Sequence, residues 1–415
     1  MRLEISRPAS ERALYSIAAA AFLLRIIARL CQGIDRFWLN GYTLFFQIAQ
    51  SIAAGKGIAL ANGAPTAFRA PLYPILLAGL TLGHQWFWPI VIAESLIGAA
   101  TVLCTALLAR QMFRGPGGEA AATLAAAITA VYPYYVVHDT ALQETGLFTL
   151  LTLIAVVLAL CVARSGGRAP AALCGLVLGL DVLTRSPIAP FAVLLPLWLM
   201  ARRRVVPGLL CAAVLGLTVA PWVIRNDLLV GGPVLTTEAG FELWNGNNPM
   251  LFNTYPMQSV DVSIAAHVDT LDALSQNDLP PQGSSDVAVD RWFRQKALAY
   301  MRANQWLTVA NGFRKIGATF DWFPTPRRSR AQTIMHAVSF GPVMLLGIWG
   351  MIRRRAHWRD DSLIYLLFAQ FLFVTAVYFG QTNHRVFLDV YLIVFAAGVL
   401  KAAFVRQTAA SSSGA

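Results

Sequence analysis

The residues able to do chemistry in this chain are arginines and carboxylates that interrupt or border apolar runs. Arg25 and Arg29 stand four apart on one side of the first run, and Glu94 lies in the outer third of the next. His138, Asp139 and Glu144 surround a junction between runs, Asp181 and Arg185 repeat the four-residue spacing, and Lys56, Arg69, Arg225, His384 and Arg385 lie in the connecting stretches. Burying a charge in lipid costs several kcal/mol unless it is paired or hydrated, so such groups mark either structure or function. The structural readings are an intrahelical Asp181–Arg185 pair, neutralisation of Arg25 or Arg29 by Glu94, and arginines that reach out to headgroups. The functional reading is a phosphate held by guanidinium forks beside a carboxylate that takes a proton. At a membrane surface a lipid-linked phosphate is the natural ligand. The chain has no G-x-x-x-x-G-K-[ST], H-E-x-x-H, G-x-S-x-G or C-x-x-C, which leaves ATP-driven, zinc and serine-hydrolase chemistry unsupported.

Positioning these groups falls to an apolar scaffold. Of 415 residues, 57% are hydrophobic and 13% charged, against roughly 25% charged in a soluble globule. That excludes a water-soluble domain and predicts an all-α polytopic membrane protein. The net charge of +12 comes as short clusters between apolar runs, which reads as topology signals rather than a face for nucleic acid. Cys31, Cys104, Cys161, Cys174 and Cys211 fall in or at the ends of apolar stretches, so no disulfide framework is implied.

Apolar stretches suited to crossing lie near 13–31, 88–109, 119–137, 145–163, 170–184, 187–201, 206–223, 333–352, 362–380 and 386–404. The first carries Arg25 and Arg29 and no cleavage signal, so it reads as a retained helix. Arg2, Arg7 and Arg12, then Arg110 with Arg114, Arg164 with Arg168, Arg202 to Arg204, Arg353 to Arg355, and Lys401 with Arg406 mark alternate ends of these stretches. All become cytoplasmic together, with both termini, if residues 71–83 do not cross. That gives about ten crossings. It divides the chain into a transmembrane module at 1–223 with a first outer loop at 32–87, an outer region at 224–332, and C-terminal helices with a short tail at 333–415. The outer region begins rich in turns and gives way to a helix-like stretch from 286 to about 304. No internal repeat is evident.

Taken in order, the motifs resemble the membrane-embedded GT-C glycosyltransferases, in the branch of protein O-mannosyltransferases, aminoarabinose transferases and lipopolysaccharide galacturonosyltransferases. The resemblance spans residues 20 to about 400. Its elements are Arg25 and Arg29, then F-x-x-x-A-x-x-x-x-x-G-x-G at Phe45, Ala49, Gly55 and Gly57, then P-T-A-F-R-A-P-L-Y-P around Arg69. Y-P with Glu144 eleven residues after Pro133, and L-T-R-S-P around Arg185, follow. A-P-W-V-I-R-N at Arg225 and Asn226, W-N-G-N-N-P at Asn247 and Asn248, and N-H-R at His384 and Arg385 complete it.

The resemblance implies a GT-C-like bundle with juxtamembrane helices in the first outer loop. The activity it implies is transfer, with inversion, of a sugar from a polyprenyl-phosphate donor to a glycan, lipid or protein acceptor. The site would face the periplasm from a bacterial inner membrane, among membrane lipids and without nucleic acid. Arg69 and Arg385, with His384 and Lys56 nearby, would hold the donor phosphate. Arg185, Arg225, Asn226, Asn247 and Asn248 would shape the substrate cavity. The family's usual acidic base falls at Gly41, beside Asn40, so either Asp35, foremost, or Glu144 or Asp139 takes that role, or catalysis is impaired. No cofactor is certain; a divalent metal at Glu144 is possible. The competing reading is a lipid-phosphate transporter or flippase, or a non-catalytic binding relative.

Overall fold

The computed structural model describes residues 7–39, 43–114, 116–253, 255–257, 284–324 and 329–412. Arg2, Asn40 and Gly41, named above, and much of the turn-rich start of the region 224–332 lie outside the described residues. The elements are α1 (Arg7–Gln32), α2 (Ile34–Leu39), α3 (Thr43–Ala53), α4 (Leu72–Thr81), α5 (Phe87–Met112), α6 (Pro116–Val131), α7 (Pro133–His138), α8 (Thr145–Ser165), α9 (Arg168–Val182), α10 (Ala189–Ala201), α11 (Val205–Val230), α12 (Ala239–Asn245), α13 (Asp286–Ala303), α14 (Gln305–Thr319), α15 (Arg330–Arg353), α16 (Trp358–Val377) and α17 (Val386–Ser412). Among the described residues there is no strand, only an isolated bridge between Ala59 and Pro65.

Each predicted apolar stretch coincides with one of α1, α5, α6, α8 to α11 or α15 to α17. Among the described residues, six helical stretches are long and apolar enough to cross a membrane: Glu11–Gln32, Phe87–Met112, Thr145–Ser165, Val205–Val230, Arg330–Arg353 and Arg355–Val377. The chain is an all-helical polytopic membrane protein. Others are shorter than expected. The stretch at 119–137 breaks after Val131, because Tyr132 precedes Pro133 and takes an extended conformation (ψ 116°), as the clash with a proline ring requires. The break creates α7 and sets His138 and Asp139 at the end of the bundle. α4 is ten residues long, a rise of about 15 Å, half of a bilayer core.

The basic clusters gather at one end. Arg110 pairs with Glu119 at 2.7 Å, Arg202 with Asp360 at 3.4 Å and Arg354 with Asp361 at 2.8 Å. Arg164 donates to the Gln111 carbonyl, Arg204 to those of Ala163 and Arg164, and Arg354 to that of Met112. The first outer loop packs at the opposite end, where the Leu72 amide donates to the Leu183 carbonyl. Arg225, late in α11, clamps that loop by donating to the Thr66 and Ile58 carbonyls. Asp286, in the first turn of α13, accepts from the Thr66 hydroxyl at 2.6 Å and from the Ala67 amide at 3.3 Å. Arg225 and Asp286 thus tie the loop at 32–87 to the end of α11 and the start of α13. The predicted helix at 286–304 is α13, capped by Ser285, whose hydroxyl accepts from the Ala288 amide.

Candidate functional site

Two arginine–carboxylate pairs meet at the end opposite the basic clusters. Arg69 sits between α3 and α4, its guanidinium about the same distance from the Phe45 and Phe68 rings (5.4 and 5.3 Å). It is ion-paired with Glu238, the residue that caps the start of α12. Arg185 follows α9 in an extended conformation, and its Nε lies 3.2 Å from Oε1 of Glu144, the residue preceding α8. Both arginines keep 23% of their side-chain surface exposed, so solvent or a ligand can reach them. Glu242, one turn after Glu238, accepts a 3.2 Å hydrogen bond from Asn245 Nδ2. Burial pushes the Glu242 carboxyl up to about 8, with neighbouring Glu238 adding to the rise. Burial also raises Glu238, against the opposing charge of Arg69, and Glu144 adds to the rise. The second oxygen of Glu144 is buried without a hydrogen-bond partner. Phosphate binding and proton acceptance both need such an arrangement: reachable guanidinium groups and a carboxylate oxygen not already committed.

The other expected residues are distributed differently. Asp35 lies in the first turn of α2 and is exposed. Asp139 is buried against Arg25, with Nε to Oδ2 at 2.6 Å, and Gly98 makes room for that pair, since a Cβ there would lie 2.1 Å from Arg25 Nε. Arg385 does not face an open cavity across from Arg69. It is wholly buried, paired with Asp389 at 2.8 Å, and donates from Nε to the Thr319 carbonyl. His384 packs on Phe379, and burial, then the Arg185 charge, lowers its pKa to about 3, so it remains neutral at pH 7. Lys56 is exposed in a turn. Arg225 and Asn226 hold the chain: besides the clamp, Asn226 Nδ2 donates to the Val234 carbonyl. Asn247 and Asn248 likewise bind backbone carbonyls, of Leu243 and Val377 and of Trp244 and Asn245. Their turn is pressed so closely to α16 that a Cβ at Gly246 would lie 1.6 Å from the Tyr378 carbonyl oxygen.

Two local pairings expected from spacing are replaced. Asp181 accepts from Thr152 rather than Arg185, because α9 ends at Val182 and leaves Arg185 off the helical path. Glu94 accepts from the Tyr73 hydroxyl at 2.7 Å rather than neutralising an arginine, and Arg29 donates to the Thr140 and Gly33 carbonyls. Spacing did not single out Glu238 or Glu242. Their signal was an i, i+4 pair of acids just before W-N-G-N-N-P. Lys315 was also missed; it is fully buried and donates to the carbonyls of Gly246, Val377 and Tyr378. Among the described residues no group of three His, Cys, Asp or Glu is placed to hold a metal ion, and one oxygen of Glu144 is engaged by Arg185.

Residues 69–224, under half of the chain, match the model of the family described as dolichyl-phosphate-mannose-protein mannosyltransferase. The match takes in Arg69, Glu144 and Arg185 and is a likeness over that stretch alone. No curated protein matches the chain. Among solved structures it is similar to the crystal structure of ArnT from Cupriavidus metallidurans bound to undecaprenyl phosphate, at 15% identity and a TM-score of 0.40, over 85% of this chain and 71% of that one. A likeness that weak carries no inference about this chain's site.

Proposed function

We propose that this protein transfers a sugar, with inversion, from a polyprenyl-phosphate donor to an acceptor hydroxyl at the end of the bundle opposite the basic clusters. By the positive-inside rule that end is the outer one, the periplasmic face of a bacterial inner membrane. The observation that carries the proposal is the adjacency of two arginine–carboxylate pairs, Arg69–Glu238 and Arg185–Glu144, whose arginines are partly exposed. The donor phosphate takes the place of Glu238 at Arg69 and draws on the charge of Arg185, because its several oxygens can engage both guanidinium groups at once. Glu144 takes the acceptor's proton through its uncommitted oxygen as the hydroxyl oxygen bonds to the anomeric carbon. The carbon–phosphate oxygen bond breaks on the opposite face, and the arginines stabilise the departing phosphate. Asp35, exposed on α2, gives way to Glu144 as the base.

The test incubates the purified protein in nanodiscs with radiolabelled polyprenyl-phosphate sugars and acceptor extracts. Donor loss, release of polyprenyl phosphate and an inverted product linkage are expected. Donor that binds but is never cleaved would defeat the reading; movement of intact donor across the bilayer would replace it with transport.

A further inference from the structure

Helices α13 and α14 are consecutive, joined at Asn304, yet opposite in polarity. On α13 the exposed positions include Arg291, Arg294 and Gln295. On α14 the exposed stripe is apolar: Trp306 is 87% exposed, Val309 54% and Phe313 73%, a spacing that puts all three on one helical face. The face turned toward the protein is polar. Asn311, Lys315 and Thr319 are buried there, with Lys315 Nζ bonded to three backbone carbonyls and 3.4 Å from Asn247 Oδ1. A helix in water shows the reverse arrangement.

We infer that α14 lies in the bilayer leaflet at the site end of the bundle, with Trp306, Val309 and Phe313 against lipid acyl chains. Its position along α16 selects lipid as the occupant. Gly312 rests on Ala376, near the end of α16, and the Phe320 ring, just past α14, lies 6.3 Å from that of Phe371. Phe371 stands six residues inside the end of α16 at Val377, a depth of about 9 Å. The far end of α14 thus reaches down a membrane span instead of rising from it, and its apolar stripe continues the bundle's lipid-facing surface. A tryptophan at the upper end of the stripe suits the headgroup boundary. The region between α11 and α15 is therefore divided: α13 faces water and α14 faces lipid.

The test uses the full chain in phosphatidylcholine nanodiscs, with the photocrosslinking residue p-benzoylphenylalanine at position 306 or 313 and, as controls, at 291 or 295. Because these side chains are exposed, the substitutions leave the packed face alone. Phospholipid adducts at 306 and 313, absent at 291 and 295, are expected by mass spectrometry. Equal lipid labelling at all four positions, or none at 306 and 313, overturns the inference. So does a protein–protein adduct at 306 or 313 in native membranes in place of lipid. In a second measurement, a cysteine at 309 is expected to resist a water-soluble maleimide that labels a cysteine at 295; equal labelling also overturns the inference. Neither readout involves sugar transfer, so the result is independent of the proposed activity.

Discussion

Arg69 and Arg385 enter as equals, each an arginine in a motif expected to grip the same phosphate, and the structure separates them. Arg69 lies in a connecting loop, partly exposed, paired with a carboxylate from another loop. Arg385 opens the last helix, wholly buried, with Asp389 one turn on and Phe340 under its guanidinium. An exposed pair can exchange its carboxylate for a ligand's phosphate because water and movement compensate what is displaced. A buried pair cannot, because removing either partner leaves the other charge alone in an apolar interior. Resemblance of motif marks both residues; on the proposed reading, burial leaves Arg69 as the one a ligand can reach. Glu144 and Asp139 are both buried and differ in another way: Glu144 Oε2 has no hydrogen-bond partner, whereas Asp139 is paired with Arg25.

The sharpest way to break this comparison is Arg385→Ala. It should destabilise the fold by about 3 to 5 kcal/mol, as loss of one member of a buried pair does, seen as lower melting temperature and loss of monodisperse protein. Replacing both Arg385 and Asp389 with Met and Leu should recover much of that. A well-folded Arg385→Ala protein that no longer binds donor would restore Arg385 to the site.

Next in size is Glu144→Gln. Turnover should fall by about 10² to 10⁴-fold, the usual contribution of a positioned general base, with donor affinity little changed. An equal fall in affinity would make Glu144 a binding residue. Arg69→Ala should act the other way round: donor binding weakened by about 1.5 to 3 kcal/mol, the value of a charge-assisted contact, with melting temperature unchanged. Titration calorimetry with a short-chain polyprenyl phosphate separates the two, and an unchanged dissociation constant removes Arg69 from the phosphate site.

What could be read in advance follows the range of the forces involved. Apolar runs and basic clusters are local, and every predicted stretch is helical, the one at 119–137 being broken at Tyr132. Arg69, Glu144 and Arg185 were legible as members of ordered motifs. Their partners were not. The partner of Arg69 is 169 residues away, in a loop whose acids look like ordinary solvated charges until the fold brings α12 over the first outer loop. Arg185 misled for a different reason. Its spacing from Asp181 presumes a continuous helix, but α9 ends at Val182 and Arg185 itself is extended (φ −145°, ψ 114°), which turns the guanidinium to Glu144. The α14 stripe was passed over because its mixture of Lys, Asn, Trp and Phe reads as an amphipathic surface helix, and only the structure shows which face is turned inward.

The smallest expected effect belongs to Asp35, and it sharpens the comparison most economically. The resemblance put Asp35 first as base because it lies in the segment where the family keeps its carboxylate. The structure puts it on the exposed side of α2, while the neighbouring Phe37 is buried against Phe87 and beside Arg29. The Asp35 carboxylate is exposed to solvent, and among the described residues no ion pair holds it. Substitution of such a surface residue changes free energies by about 0.5 kcal/mol or less, so Asp35→Asn should keep turnover within a factor of about two of the unmodified protein. Measured beside Glu144→Gln under the same donor concentration, it distinguishes the two candidates directly. Loss of turnover in Asp35→Asn with intact donor binding would mean that α2 closes over the arginine pairs when the donor binds and carries its carboxylate to the acceptor. Retained turnover leaves Glu144, held by Arg185 at the start of α8, as the carboxylate in position to act.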